Sequence, residues 1–324
     1  MNIPVYFTQV ENESEWVNQL LITTGSEEHL KFIKSETTAG AKTEEEIYQR
    51  NGLPYIIPEM REGRDEKEMM QHIKAEDIIK LEDIKGCIHN HSTYSDGAKT
   101  ISEMAEYCRA MGLQYFGISD HSQTAVYANG LKPNRVLAQM KEVDKLNTEM
   151  APFKIFKGIE SDILNDGSLD YDESILKQFD YVVASVHSNI KMKEADANKR
   201  LLKAIENPYT TILGHMTARL LLTRAGFPVD HKLIIDACAA NDVIIEINAN
   251  PKRLDMDWLW YSYAMKKGIM FSINPDAHET TEMHNMYYGV CVARKGGITN
   301  NRVLNTLSVE EIESFFNRKK AGKS

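Results

Sequence analysis

Cysteine is scarce in this sequence and never paired. Cys87, Cys108, Cys238 and Cys291 are the four in 324 residues, and no two form a Cys-x-x-Cys motif. That spacing argues against a disulfide framework and against a thiolate zinc site, and leaves buried apolar thiols as the expectation. Prolines are few, at nine. No apolar run approaches the roughly 18 residues of a membrane span. The opening Met-Asn-Ile-Pro-Val-Tyr-Phe has neither a basic segment nor a long apolar one, so no secretory signal is visible. A cytoplasmic protein with no membrane partner is expected. Positive charge is in deficit too: 38 Lys and Arg face 47 Asp and Glu, a net charge of −9. Such a balance argues against broad, non-specific affinity for nucleic acid. It does not exclude a nucleic-acid substrate gripped locally, because metal-binding carboxylates are counted in it and three divalent ions would return about +6.

What is present falls into two textures. Residues 1–57 read as a small α/β unit, with an extended start over Val5 to Val10 and helical stretches near Trp16–Leu21 and Glu27–Lys34. Residues 58–84 are charged and poor in β-formers, the composition of a linker that partly forms helix. From Lys85 onward, seven short apolar runs alternate with helical patterns: Cys87-Ile88, Tyr115–Ser119, Lys154–Ile159, Tyr181–Val186, Thr211–Leu213, Val243–Ile247 and Met270–Ile273. The helix Ile101–Met111 carries a capping box at Thr100 and Glu103, and Gly112 stands at its C′ position. Continuous apolar strands alternating with helices predict parallel pairing in a sheet covered on both faces. The expected fold is α/β, a distorted seven-stranded relative of the (β/α)8 barrel over residues 85–324.

The chemistry lies just past the runs. His89, His91 and Asp96 follow the first, His121 the second, Glu160 ends the third, His187 the fourth, His215 follows the fifth, and Asp276 and His278 the seventh. In a parallel barrel all strand C-termini face one way, so these residues converge. Six of the ten histidines sit there; His29, His72, His231 and His284 do not and are read as surface or packing residues. Neutral imidazoles with carboxylates suit Zn²⁺, Mn²⁺ or Fe²⁺, and a buried carboxylate without a partner costs several kcal/mol. In an extended segment i and i+2 share a face, which would aim His89 with His91, and Asp276 with His278, into the mouth together.

The motifs His-Asn-His-Ser-Thr-Tyr-Ser-Asp-Gly (89–97), Ser-Asp-His (119–121), Gly-Ile-Glu (158–160), Ser-Val-His-Ser (185–188), Gly-His (214–215) and Pro-Asp-Ala-His (275–278) resemble the PHP (polymerase and histidinol phosphatase) superfamily. All nine ligand positions of its three-metal pattern are filled. Further stretches (127–131, 158–170, 218–222, 246–255 and 289–296) are similar to the C-terminal PHP domain of bacterial family X DNA polymerases. Residues 23–29, 42–48 and 52–63 are similar to the thumb and following linker of those enzymes. A complete polymerase carries its nucleotidyl-transfer carboxylates upstream; residues 1–10 contain no Asp or Glu, so no polymerase activity is expected of this chain.

The resemblance implies one ion on His89, His91, Glu160 and Asp276, a second on Glu160, His187 and His215, and a third on Asp96, His121 and His278. His89, His91, Glu160, His187 and Asp276 are the catalytic candidates, acting through the ions. Clustered divalent ions suit phosphate-ester hydrolysis, and no Ser/His/Asp or Cys/His signature supplies a protein nucleophile. Arg219 and Arg253, just past strand-end motifs, are candidates to grip substrate phosphate, with Tyr94 and Asn129 as candidate substrate-loop residues. The implied activity is 3′–5′ exonuclease action on DNA 3′ ends. The competing readings are a phosphatase on small phosphomonoesters, favoured by the acidic charge, and a non-catalytic module.

Overall fold

The computed structural model describes residues 4–321, which divide into two compact units at Ile78–Ile79. The first unit is helical. Its helices Glu13–Thr24, Glu27–Leu30 and Glu44–Arg50 begin where Asn12, Ser26 and Thr43 accept a backbone N–H, the side-chain chemistry that favours helix starts. Val17, Leu21, Ile47, Tyr48, Ile56, Met60, Met70 and Ile78 form its core. Two expectations fail here. No strand occurs among residues 4–78, so the unit is α rather than α/β. Val5 to Val10 is extended but has no ladder partner, and Val5, Tyr6 and Phe7 stand in solvent. Nor are residues 58–78 a linker. Met60, Met70 and Ile78, scattered among the charges, supply part of the core, and Arg61 is buried against Glu44 at 2.6 Å. Gly63, with φ +71°, makes the turn after it, where a Cβ would strike the backbone at Glu28–His29.

The second unit holds seven parallel strands in sequence order: β1 Gly86–Cys87, β2 Tyr115–Ile118, β3 Lys154–Asp162, β4 Tyr181–Ser185, β5 Ile212–Leu213, β6 Ile244–Asn248 and β7 Phe271–Asn274. Each of the seven apolar runs becomes a strand. The Thr100 capping box forms as expected, and Gly112 follows its helix with φ +84°. The helices pack on the outer face: Phe116, Ile118, Ile155, Ile159, Val182, Ala184, Ile245, Ile247, Phe271 and Ile273 join them in one continuous core. The alternate residues of the strands point into the barrel.

Those inward positions change character along the axis. At the strand N-terminal end Tyr115, Phe156, Tyr181, Ile212 and Ile244 fill the lumen together with Phe315 and Phe316 of the helix Val309–Ala321. Gly158 of the Gly-Ile-Glu motif clears room for this plug, since a Cβ there would collide with the Tyr181 ring. Two to four residues further along these strands the inward side chains turn polar: Glu160 and Asp162 on β3, Ser185 on β4, Glu246 and Asn248 on β6, Ser272 and Asn274 on β7. Between β1 and β7 the closure runs through the Asn305 side chain and one backbone bond past the strand ends. Asn305 donates to Gly86 O at 3.1 Å and accepts from Ile273 N at 2.8 Å, while His91 N donates to Ala277 O at 2.8 Å. No helix among the described residues is long and apolar enough to cross a membrane.

Candidate metal centre

All nine residues expected at the barrel mouth meet there, and Glu160 is their hub. Its carboxylate lies within reach of five imidazoles: His121 Nδ1 and His215 Nε2 at 2.9 Å, His187 Nε2 at 3.1, His89 Nε2 at 3.2 and His91 Nε2 at 3.7. Asp276 Oδ1 approaches His91 at 3.1 Å and His89 at 3.6 Å. Asp96 lies at the outer edge, 3.5 Å from His278 and 3.6 Å from His121. His91 stacks between His121 and His278, with ring centroids 4.5 and 4.2 Å away.

Candidate ligand atoms within 4.8 Å of one another fall into four overlapping sets: His91, Asp96, His121 and His278; His89, Glu160 and His215; His89, His91 and Asp276; His121, Glu160 and His187. The Asp96, His121, His278 trio implied by the resemblance is one compact set, which His91 joins. The implied Glu160, His187, His215 trio is instead divided between two sets that share Glu160. The local geometry also differs from an extended pair. His89 (φ 63°) and Asp276 (φ 53°) adopt left-handed backbone, a conformation that costs a non-glycine residue energy and persists only when its surroundings impose it. Here Asn90 imposes it at the β1 exit, bonded to Ser119 Oγ at 3.0 Å and Gly117 O at 2.9 Å.

The donor set fits divalent cations. Burial drives each imidazole towards its neutral form. For His91 burial wins, helped by His121 and His278, and its pKa falls to about 3. For His121 the Glu160 and Asp96 carboxylates overcome burial and lift it to about 10. Against the same burial, Glu160 and Asp162 lift His187 to about 9, and Asp96 and Asp276 lift His278 to about 9. Burial opposes the charged forms of Glu160 and Asp276 as well, yet the surrounding imidazoles hold both well below the usual carboxylate range. Five buried atoms of ligand type, His89 Nε2, His91 Nδ1, His121 Nδ1, His215 Nδ1 and Glu160 Oε2, make no hydrogen bond of proper angle, although His121 Nδ1 and Glu160 Oε2 lie 2.9 Å apart. Borderline divalent ions accept such a nitrogen and oxygen set.

Three acids that the strand-end pattern missed support this layer. Glu246 accepts from His89 Nδ1 at 2.5 Å and from His215 N at 2.7 Å, and Asn274 donates to it at 2.9 Å. Asp162 pairs with His187 Nδ1 in the same manner. Each carboxylate fixes which ring nitrogen of its histidine faces the cluster. Asp120 accepts from Ser92 N and Oγ, both at 2.7 Å, and from Gln139 at 2.6 Å, holding the loop that carries Asp96. Period-two spacing was the available signal: Glu246 and Asn248, or Glu160 and Asp162, are polar residues two apart in otherwise apolar strands.

The four substrate candidates part company. Arg253 stays at the cluster, with Nε 3.5 Å from Asp276 and a buried Nη1 that has no hydrogen-bond partner. Arg219 is engaged elsewhere, with Asp257 at 2.6 Å and the carbonyls of Arg253 and Leu254. Tyr94 donates to Glu142 at 2.7 Å, and Asn129, in left-handed backbone, ties its loop to the carbonyls of Tyr94 and Ser95. Among the remaining histidines, His29 is buried, His72 is exposed, His231 stacks on Trp260 and His284 bonds Tyr107. Cys87, Cys108 and Cys238 are buried free thiols, and Cys291 is half-buried.

The PHP domain family matches residues 88–250, half of the chain. The DNA polymerase/3′-5′ exonuclease PolX of Bacillus subtilis is 40% identical over 316 residues, covering 97% of this chain and 55% of that protein. The chain thus spans about half the length of that relative. A probable phosphatase of Thermoanaerobacter sp. is 29% identical over 243 residues, covering 72% of this chain and 94% of that protein. Among solved structures, a histidinol phosphate phosphatase of Lactococcus lactis aligns with a TM-score of 0.47 and 16% identity, over 64% of this chain and 93% of that one. With the family match running from the first ligand loop through β6, this chain belongs to the PHP domain family.

Proposed function

We propose that the chain hydrolyses phosphate esters at a three-metal centre and that its substrate is the 3′ end of DNA, degraded in the 3′–5′ direction. The observation that carries this is the hub at Glu160, one buried carboxylate shared by five imidazoles, with ligand-type atoms left unbonded around it. The ligands are His89, His91, Asp96, His121, Glu160, His187, His215, Asp276 and His278, with Mn²⁺, Zn²⁺ or Fe²⁺ as the ions. When bound, such ions neutralise non-bridging phosphate oxygens and lower the pKa of a water. The chain's own groups prepare the site. Glu246 and Asp162 hold His89 and His187 in the tautomer that turns Nε2 inward, and the apolar plug below closes the lumen to bulk water. The partly exposed guanidinium of Arg253, with Nε 3.5 Å from Asp276, is the group we assign to a substrate phosphate oxygen.

DNA is favoured by similarity to the Bacillus exonuclease that extends through the helical first unit, beyond the barrel. A small phosphomonoester is the second reading, supported by the probable phosphatases that the barrel alone nearly spans. The test is incubation with Mn²⁺ and a 5′-labelled single-stranded oligonucleotide, in parallel with histidinol phosphate and with His187→Ala as control. A ladder shortening from the 3′ end, absent in the variant, is expected. Turnover of the monoester with an intact oligonucleotide would sink the DNA reading.

A further inference from the structure

The loop leaving β2 after His121 doubles back at once. Ser122 N donates to Glu160 O at 3.0 Å, Leu131 N returns to His121 O at 2.9 Å, and Val126–Ala128 form a single 3₁₀ turn between them. The turn is braced from outside. Asn129 bonds the carbonyls of Tyr94 and Ser95 at 3.2 and 3.3 Å, and its own carbonyl accepts from Arg135 at 2.8 Å. Gly130 lies so close to Ser122 O that a Cβ there would collide with it.

From this braced turn Tyr127 projects with 70% of its surface in solvent. Its ring centroid is 6.0 Å from that of His121 and 6.5 Å from that of His187, two of the cluster imidazoles. The charged groups that act on its phenol are the carboxylates of Glu160, Asp162 and Asp96 and the Arg253 guanidinium. The phenol makes no hydrogen bond among the described residues, and the bonds at Asn129 and Arg135 brace the turn that carries the ring. An aromatic ring so placed beside a phosphate-binding centre has the properties of a stacking platform. Every nucleobase offers a π-face, and one base on one aromatic ring is worth about 1–3 kcal/mol.

We infer that Tyr127 is a specificity-determining residue: its ring stacks on the terminal nucleobase of a nucleic-acid 3′ end whose last phosphodiester lies at the Glu160 hub. The inference rests on the exonuclease reading and adds the group that recognises the nucleotide rather than the phosphate. The ring, not the hydroxyl, does the recognising.

The test compares two 5′-labelled oligonucleotides that differ only at the 3′ terminus, one ending in an ordinary nucleotide and one in an abasic residue. For each enzyme the readout is the ratio of kcat/KM between the two with Mn²⁺, together with the ratio of their Kd values by fluorescence anisotropy, which needs no turnover. In the wild type the base-bearing end is favoured by about 5- to 150-fold. Tyr127→Phe keeps that ratio and Tyr127→Ala brings it close to one. A Tyr127→Ala protein that still discriminates overturns the assignment, as does a wild type that degrades both ends equally well. Glycerol phosphate is run beside them on the wild type. Turnover of it, with both oligonucleotides left intact, would remove the exonuclease reading itself and the platform with it.

Discussion

His29 in the first unit and His89 in the barrel are both fully buried, and each gives Nδ1 to a buried glutamate, Glu66 at 3.0 Å and Glu246 at 2.5 Å. They part at the second nitrogen. His29 Nε2 meets the Tyr48 hydroxyl at 2.7 Å, and Glu66 also accepts the backbone N–H groups of Gly63 and Arg64, both at 2.6 Å. That network satisfies its members and is complete within the chain. His89 Nε2 has no hydrogen-bond partner and faces two more carboxylates, Glu160 and Asp276. A histidine–glutamate pair is thus a packing device when both ring nitrogens are answered by protein. It is half of a ligand arrangement when one is left aimed at further acids.

The contrast breaks most sharply at the hub. Glu160→Gln keeps the volume but removes the charge shared by five imidazoles, and hydrolysis is expected to fall to background with loss of bound metal, read by activity and by elemental analysis. The analogous Glu66→Gln should leave the metal content untouched. One shell out, Glu246→Gln is expected to cost about 10- to 100-fold in metal affinity or activity, because the tautomer of His89 is no longer fixed. Metal titration of the purified protein measures it, and an unchanged affinity would mean that His89 is oriented by other groups.

In the first unit, His29→Ala leaves Glu66 and Tyr48 buried without their partner and should cost about 1–3 kcal/mol of stability in denaturant unfolding. Acid acts on the same pair. Burial alone would raise the Glu66 carboxyl, but His29 and the backbone N–H groups hold it below the usual carboxylate range. The folded value lies below the unfolded one, so its contribution is full above about pH 5 and drains away as pH falls through the depressed value. A unit whose stability rose on acidification would contradict this. The smallest signal comes from the barrel. His121, His187 and His278 sit at about 10, 9 and 9 and are protonated at pH 7.5 before ions bind. Ligation requires the neutral ring, so loading metal should release protons. Calorimetry in buffers of different ionisation enthalpy would detect them.

Much of the barrel could be read in advance because its signals are local. Apolar runs bounded by helix caps, such as Thr100 to Gly112, locate the strands, and a His or carboxylate at the end of six of the seven runs locates the mouth. What could not be read depends on contacts between distant segments. Val5 to Val10 has strand composition but nothing to pair with, so it forms no sheet. Met60, Met70 and Ile78 lie among charges and declare themselves as core only once the helices they cover are in place. The left-handed turns at His89 and Asp276 arise from Asn90 and the β1–β7 seam. Whether Arg219 faces substrate or Asp257 depends on the path of the chain 38 residues further on.

The seam itself sets an order of assembly. Asn305 supplies the side-chain bonds that bridge β1 and β7, and two ligands that flank the seam, His89 and Asp276, lie 187 residues apart by subtraction of their numbers. On a ribosome, the early ligands would wait exposed until the chain past residue 305 had emerged. Ring closure spanning such separations is slow compared with local helix formation. Ions met before that stretch has emerged would find only a fragment of the ligand set, so the centre is metallated late relative to the folding of the early strands.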